Sequence, residues 1–242
     1  MALEKIEPFN FNKFKDMTKD SIGKIVSSLE QSKYNSWDAV LKNYSYENKK
    51  EKKNYNFIDG VEKRRDFNKK IRRPNENISD VMSKILEWGG MKAFDNDVEL
   101  KIVESLKILD NENTSDLSKI YADRIASVSK IYEMWNPNKW IIYDSYCARG
   151  LQWIVKKFWE NEGKELHSEL FRFPWPPGRS GAPIAGFPKV AKTAPRQAML
   201  GFVYASWLCR LIAQELNLKN ETTFKWEAYH VEMALFTLGH KI

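Results

Sequence analysis

The 242-residue chain is poor in the residues that build metal centres and disulfide frameworks. Its two cysteines, Cys147 and Cys209, lie far apart, each inside an apolar helical pattern. That placement argues against a disulfide framework and against a thiolate zinc site. Three histidines, His167, His230 and His240, are too few for a histidine cluster. The expectation is chemistry without a metal or a cofactor; an acidic magnesium site is the one arrangement these counts leave open. No apolar run approaches the ~20 residues of a membrane span. Residues Met1 to Phe14 mix Glu, Lys and Asn with aromatics, unlike the basic-then-apolar layout of a signal peptide. A cytoplasmic monomer with no membrane contact is expected. Strand-type alternation and internal repeats are also missing, which leaves an all-α architecture.

What is present is positive charge in one place. From Lys49 to Arg73 there are eleven basic residues and four acids, so this segment carries the whole formal charge of +7. Such a block is an electrostatic footprint for phosphates, or else a solvated loop. Residues 1–75 read as N-terminal helices followed by this basic loop, with residues 45–60 unstructured. Residues 76–242 read as a helical core, and the two parts are expected to pack as one unit.

Apolar residues recur at helical spacing through 20–44, 78–88, 98–109, 117–135, 151–159, 196–216 and 224–238. Asn77 or Ser79 is positioned to cap the second of these runs, Asp95 to Asp97 the third. Gly89-Gly90 and Gly239 read as stops. Six of the nine prolines fall between Phe171 and Pro195, a stretch too rich in proline for regular structure but stiffened by it.

Between the runs ending at Trp135 and starting near Ser145 sits a short apolar bridge, Ile141 to Tyr143, and then Asp144. A carboxylate suits a helix N-cap, because the free N–H groups and the dipole both favour negative charge. Asp144 is therefore a cap, and it is also placed where a carboxylate can face a groove.

The segments ILEWGGM (Ile85 to Met91), NPNKWIIYDSYCARGL (Asn136 to Leu151), RQAMLGFVYASWLCRLIAQEL (Arg196 to Leu216) and WEAYHVEMALFTLG (Trp226 to Gly239) together resemble the helix-hairpin-helix DNA glycosylases. The resemblance is to the bacterial 8-oxoguanine-glycosylase-like family and covers Asn77 to Gly239. It implies a two-part helical body with double-stranded DNA and an extruded base held in a cleft between helical layers. It also implies that Asp144 is the catalytic acid, with Arg149 five positions on as a DNA-binding residue. Two departures stand out. The family's hairpin is Gly-rich, whereas Tyr121 to Ser127 contains no glycine, so the phosphate anchor is altered or lost. Bifunctional members carry a lysine nucleophile whose place falls near Ile125; Lys130 is the nearest lysine and lies too close to the acid. The resemblance thus implies a monofunctional enzyme that uses water, with Lys130 on the surface or against a phosphate.

A flipped base needs aromatic faces and edge-reading groups. Trp88, with Gly89 beside it, and Trp226, Tyr229 and His230 are the base-pocket candidates; each is equally a candidate core residue. Glu232 is either a polar pocket contact or a buried ion-pair partner. In the Pro-rich loop, Arg172, Arg179, Lys189, Lys192 and, just beyond it, Arg196 suit phosphate contacts on a stiff scaffold. Substrates implied by the resemblance are an oxidised purine or a bulky modified phage base such as glucosylated hydroxymethylcytosine, the latter in phage defence. The competing readings are a non-catalytic nucleic-acid-binding helical module and, more distantly, a helical partner-binding protein.

Overall fold

A computed structural model describes residues 11–49, 51–111, 119–163, 171–178, 181–190, 195–219 and 224–242. Among these the chain forms nine α-helices and one β-hairpin, an all-α architecture with a single small sheet. In order they are α1 (Phe11–Glu30), α2 (Trp37–Lys42), β1 (Ser45–Asn48), β2 (Lys53–Asn56), α3 (Phe57–Ile71), α4 (Ile78–Trp88) and α5 (Asn96–Asn111). Then follow α6 (Ile125–Trp135), α7 (Ser145–Glu162), α8 (Pro195–Leu218) and α9 (Ala228–Lys241).

Side-chain caps start several of these helices. Asn77 Oδ1 accepts from Ser79 N at 3.0 Å and opens α4; Asp95 Oδ1 accepts from Val98 N at 3.0 Å and opens α5. Gly89 closes α4, and Gly90 follows with φ of 70° in the left-handed region. The turn before α6 is made without glycine. Arg124 itself adopts φ of 54°, while its guanidinium lies over the Phe94 ring at 4.5 Å. The apolar pattern from residue 117 onward therefore does not continue as one helix: α6 begins only at Ile125.

The stretch 45–60 departs from its expected irregularity. Ser45 to Asn48 pairs antiparallel with Lys53 to Asn56, and α3 follows at once, capped by Asn56. The hairpin is held by its inward side chains rather than by an alternating apolar face. Tyr46 Oη and Asn48 Nδ2 both donate to the Trp88 carbonyl, at 2.8 and 3.1 Å. The described residues of the basic block thus form this hairpin and α3, and their charges are partly matched: Lys63–Glu51, Lys53–Asp59, Lys70–Asp66 and Arg72–Asp110 all lie within 4 Å.

One continuous core joins residues 11–75 to the rest. Helix α1 packs on α7 and α8, tied by Lys24–Glu162 (2.6 Å) and Lys219–Glu30 (2.8 Å). The described part of the Pro-rich stretch turns its aromatic side chains inward. Phe171, Phe173 and Trp175 are buried, and the wholly buried Gln152 clamps it by donating to Phe173 O and accepting from Ile184 N.

Among the described residues, α7 packs most extensively on α9. A Cβ on Gly150 would overlap the Leu235 carbonyl, and one on Gly239 would overlap the Tyr146 carbonyl. Gly239 is thus not a stop; it lies inside α9 because only hydrogen fits at that crossing. Either Gly150→Ala or Gly239→Ala should destabilise the protein by about 2–3 kcal/mol, as expected when a well-packed core is overfilled. Denaturant unfolding measures this, and a change within about 0.5 kcal/mol, typical of a surface substitution, would refute the packing argument.

Candidate active site

Helix α6 delivers the chain to the bridge Ile141 to Tyr143, every residue of which is buried, as is Trp140 before it. Tyr143 N donates to Ser129 Oγ at 2.9 Å, and Tyr143 Oη donates to Pro174 O at 2.7 Å, so the bridge is fixed to α6 and to the Pro-rich stretch. Asp144 then caps α7 in an extended conformation. Its Oδ1 accepts from both Tyr146 N and Cys147 N at 3.0 Å. Its Oδ2 faces Lys130 Nζ at 3.8 Å. The Lys130 side chain is 8% exposed and that of Asp144 18%, so this ion pair is largely shielded from solvent.

Lys130 is therefore not a surface lysine. It reaches Asp144 by lying flat across Gly89, where a Cβ would overlap its Cδ and Cε. Gly89 has an ordinary helical φ of −71°, so glycine is needed there for space, not for backbone freedom.

Asp144 and Lys130 open together into a cavity of about 590 Å³. The hairpin supplies one wall through Ser45, Tyr46, Glu47 and Lys49; the end of α9 supplies another through Phe236, Thr237 and His240. Gly89 and Met91 floor it, and Ser145, Tyr146, Pro177 and Gly178 complete it beside Asp144. Tyr146 stacks on His240 with ring centroids 3.6 Å apart and packs edge-on against Phe236 at 5.5 Å. Burial lowers the His240 pKa, with the Asp144 carboxylate acting in the opposite direction.

Behind the cavity lies a buried ionic cluster. Arg64, on α3, donates from Nε to Glu133 Oε1 at 2.6 Å and from Nη2 to Glu232 Oε2 at 2.8 Å. All three side chains are almost fully buried. Burial pushes the Glu133 carboxyl up and that of Glu232 up to about 8, against the lowering effect of Arg64. Glu232 is thus a buried ion-pair partner and does not line the cavity. One member of the basic block, Arg64, is likewise a core residue.

The structure separates the expected base-pocket residues. Gly89 lies in the Asp144 cavity, but Trp88 does not: it is a core side chain packed among Tyr46, Tyr55 and Phe67. Trp226 is buried against Phe224, with its backbone paired to Asn217. Tyr229 and His230 line a different cavity of about 640 Å³ at the opposite end of α9, together with Phe57, Arg65 and Phe224. His230 Nδ1 accepts from Glu227 N at 3.0 Å and so helps cap α9. Arg149 donates to Ile242 O at 2.7 Å, fastening α7 to the end of α9, and does not reach the cavity. Lys189 and Arg196 are exposed, the former 5.9 Å from the Trp175 ring. Arg179 and Lys192 lie outside the described residues.

The cavity residues that sequence reasoning passed over are Tyr46, Tyr146, Phe236 and His240. Phe236 and His240 carried a readable signal, being four apart and so on one face of the last helical run. Tyr46 carried none, since its position depends on a hairpin that lacks alternation.

Among the described residues no group of His, Cys, Asp and Glu is arranged to hold a metal ion, and no helix is long and apolar enough to cross a membrane. Both cysteines are buried free thiols. No protein-family model, curated protein or solved structure matches the chain.

The position of His230 has a consequence in acid. Burial, reinforced by Arg64 and Arg65, lowers its pKa to about 3, whereas the unfolded chain protonates it near 6.5. Between those values the unfolded state binds more protons, so stability falls as pH drops from 6.5 toward 3, by at most about 1.4 kcal/mol per unit. His230→Gln should flatten that part of the stability–pH curve in chemical denaturation. An unchanged slope would mean that His230 titrates normally in the folded protein.

Proposed function

We propose that the chain is a monofunctional DNA N-glycosylase that draws a modified or damaged base out of double-stranded DNA and hydrolyses its N-glycosidic bond, leaving an abasic site. The observation that carries this reading is the division of labour within Asp144. One oxygen is committed to the α7 cap, while the other is paired with Lys130 at 3.8 Å, and both residues line a cavity large enough for an extruded base. Glycosidic cleavage passes through an oxocarbenium-like sugar, which a fixed carboxylate stabilises while it orients the attacking water. A base inside a duplex is out of reach, so it must be flipped onto apolar and aromatic faces. Tyr46, Tyr146, Phe236 and His240 offer such faces. The exposed Lys49, Lys52 and Lys53 on the adjacent hairpin suit the flanking phosphates.

A cavity of about 590 Å³ admits both substrate classes, an oxidised purine and a bulky modified phage base such as glucosylated hydroxymethylcytosine. A panel of duplexes, from oxidised lesions to hypermodified phage DNA, scored for alkali-labile abasic sites, tests this. Asp144→Asn should lower single-turnover base release by about 10²–10⁴-fold while keeping DNA binding, because Asn caps a helix as well as Asp does. Base release by that variant at the parental rate would rule out the assigned mechanism. Binding without an abasic product on any duplex would leave a non-catalytic module.

The place of Lys130 favours a second reading of the same site. Its amine shares the cavity with Asp144 and lies 3.8 Å from it. An amine so placed, once Asp144 takes its proton, suits attack at the anomeric carbon with departure of the base; opening of the sugar ring then gives an imine, and elimination of the 3′ phosphate cleaves the strand. Borohydride added during turnover separates the two. Hydrolysis through water gives no trapped protein–DNA adduct; an adduct that disappears in Lys130→Met assigns the lyase reaction.

A further inference from the structure

The cavity at the far end of α9 has no part in the proposed reaction, yet it is built as a binding site. Its volume of about 640 Å³ is that of a small-molecule pocket. One face of α3, the turn at Pro137 and the chain entering α9 enclose it. Phe57 and Phe224 meet there with ring centroids 5.9 Å apart, and the His230 ring stands 5.7 Å from the first and 5.1 Å from the second. Both phenylalanines are half-buried, so part of each ring is open to the cavity they line.

Two polar groups among these rings are fixed in orientation by bonds made elsewhere. His230 is 5% exposed, and its Nδ1 accepts from Glu227 N at 3.0 Å, so the ring proton sits on Nε2. That Nε2–H is neither bonded to the described residues nor sealed in the core, and it opens into the cavity. Asn68 donates from Nδ2 to Met134 O at 2.8 Å and to Trp135 O at 2.9 Å, which leaves Oδ1 as an acceptor on the cavity wall. A donor and an acceptor set between aromatic faces suit a flat ring that carries both kinds of group on its edge, as nucleobases do. Arg65 is exposed on the same wall, beside the Tyr229 hydroxyl and in no ion pair among the described residues. Its guanidinium matches a phosphate. The other lining cation, Lys225, is already paired with Glu227 at 3.2 Å, and Glu62 is the remaining acid.

We propose that this cavity is a second binding site, separate from that of Asp144, for a nucleobase bearing a phosphate. The base lies against Phe57 and Phe224 with its edge on His230 Nε2 and Asn68 Oδ1, and the phosphate lies on Arg65. A free mononucleotide and one residue of a single strand offer the same chemistry. The site stands independently of the glycosylase reading.

With three histidines in the chain the test is local, because His230 lines this cavity and His240 the one at Asp144. Imidazole nitrogen NMR is recorded on the full chain as a deoxynucleoside monophosphate, its nucleoside, inorganic phosphate or a short oligothymidylate is added. The monophosphate should shift the His230 Nε2 resonance saturably, whether or not His240 responds. Arg65→Ala, a surface change that keeps the fold, should weaken the monophosphate about tenfold, the worth of one charged hydrogen bond, and leave the nucleoside as it was. A strand that binds at His230 more tightly than the monophosphate assigns the source to nucleic acid; the reverse order assigns it to the free nucleotide. A His230 resonance that no base-bearing ligand moves overturns the proposal. So does a response to inorganic phosphate alone, or an Arg65→Ala loss that the nucleoside shares.

Discussion

Arg64 is the tie on which the arrangement depends. Its guanidinium reaches from α3 to Glu133 on α6 and to Glu232 on α9, and so joins the basic N-terminal segment to the two helices that flank the cavity. Removing one partner of such a cluster leaves a buried charge uncompensated, at a cost of about 3–5 kcal/mol. The hairpin depends on the same region, because Arg64 also lies over the Trp88 ring at 5.6 Å, and the Trp88 carbonyl holds Tyr46 and Asn48. Gly89, the next residue, is the surface on which Lys130 lies. Charge placed in the core thus fixes the path of a backbone turn, and the turn fixes a lysine beside Asp144.

Elements whose cause is local were legible in the sequence. The Asn77 and Asp95 caps, the glycine stop after Trp88 and the Asp144 cap all follow from rules spanning a few residues. The hairpin was not legible, because its strands bear Lys, Asn and Glu and are stabilised by two hydrogen bonds to a carbonyl some forty residues away. Nor was the purpose of Gly239. Glycine near the end of an apolar pattern reads as a stop, and only the Tyr146 carbonyl across the crossing shows why it sits within a helix.

The site was legible in part and for the same reason. Asp144 announces itself by its helix start, but the company it keeps is set by tertiary packing. Tyr229 and His230 share a helix with Phe236 and His240, yet the two pairs open into different cavities, since ten residues of helix separate His230 from His240 by ~15 Å. Spacing to a neighbouring acid misplaced Lys130 as well. Counted along the chain it stands too near Asp144, but the Pro137 turn and the buried bridge fold it back against that carboxylate.

The glycine crossing of α7 and α9 has a mechanical corollary. Asp144 and Tyr146 begin one helix, Phe236 and His240 end the other, and the backbones touch with no side chain between them. That half of the cavity behaves as a single stiff jaw. The opposite half, the hairpin, is a two-stranded ribbon fastened through Tyr46, Asn48 and Tyr55 to the single residue Trp88. If the cavity takes up a base, as proposed, a change in aperture falls more readily on the ribbon than on the jaw.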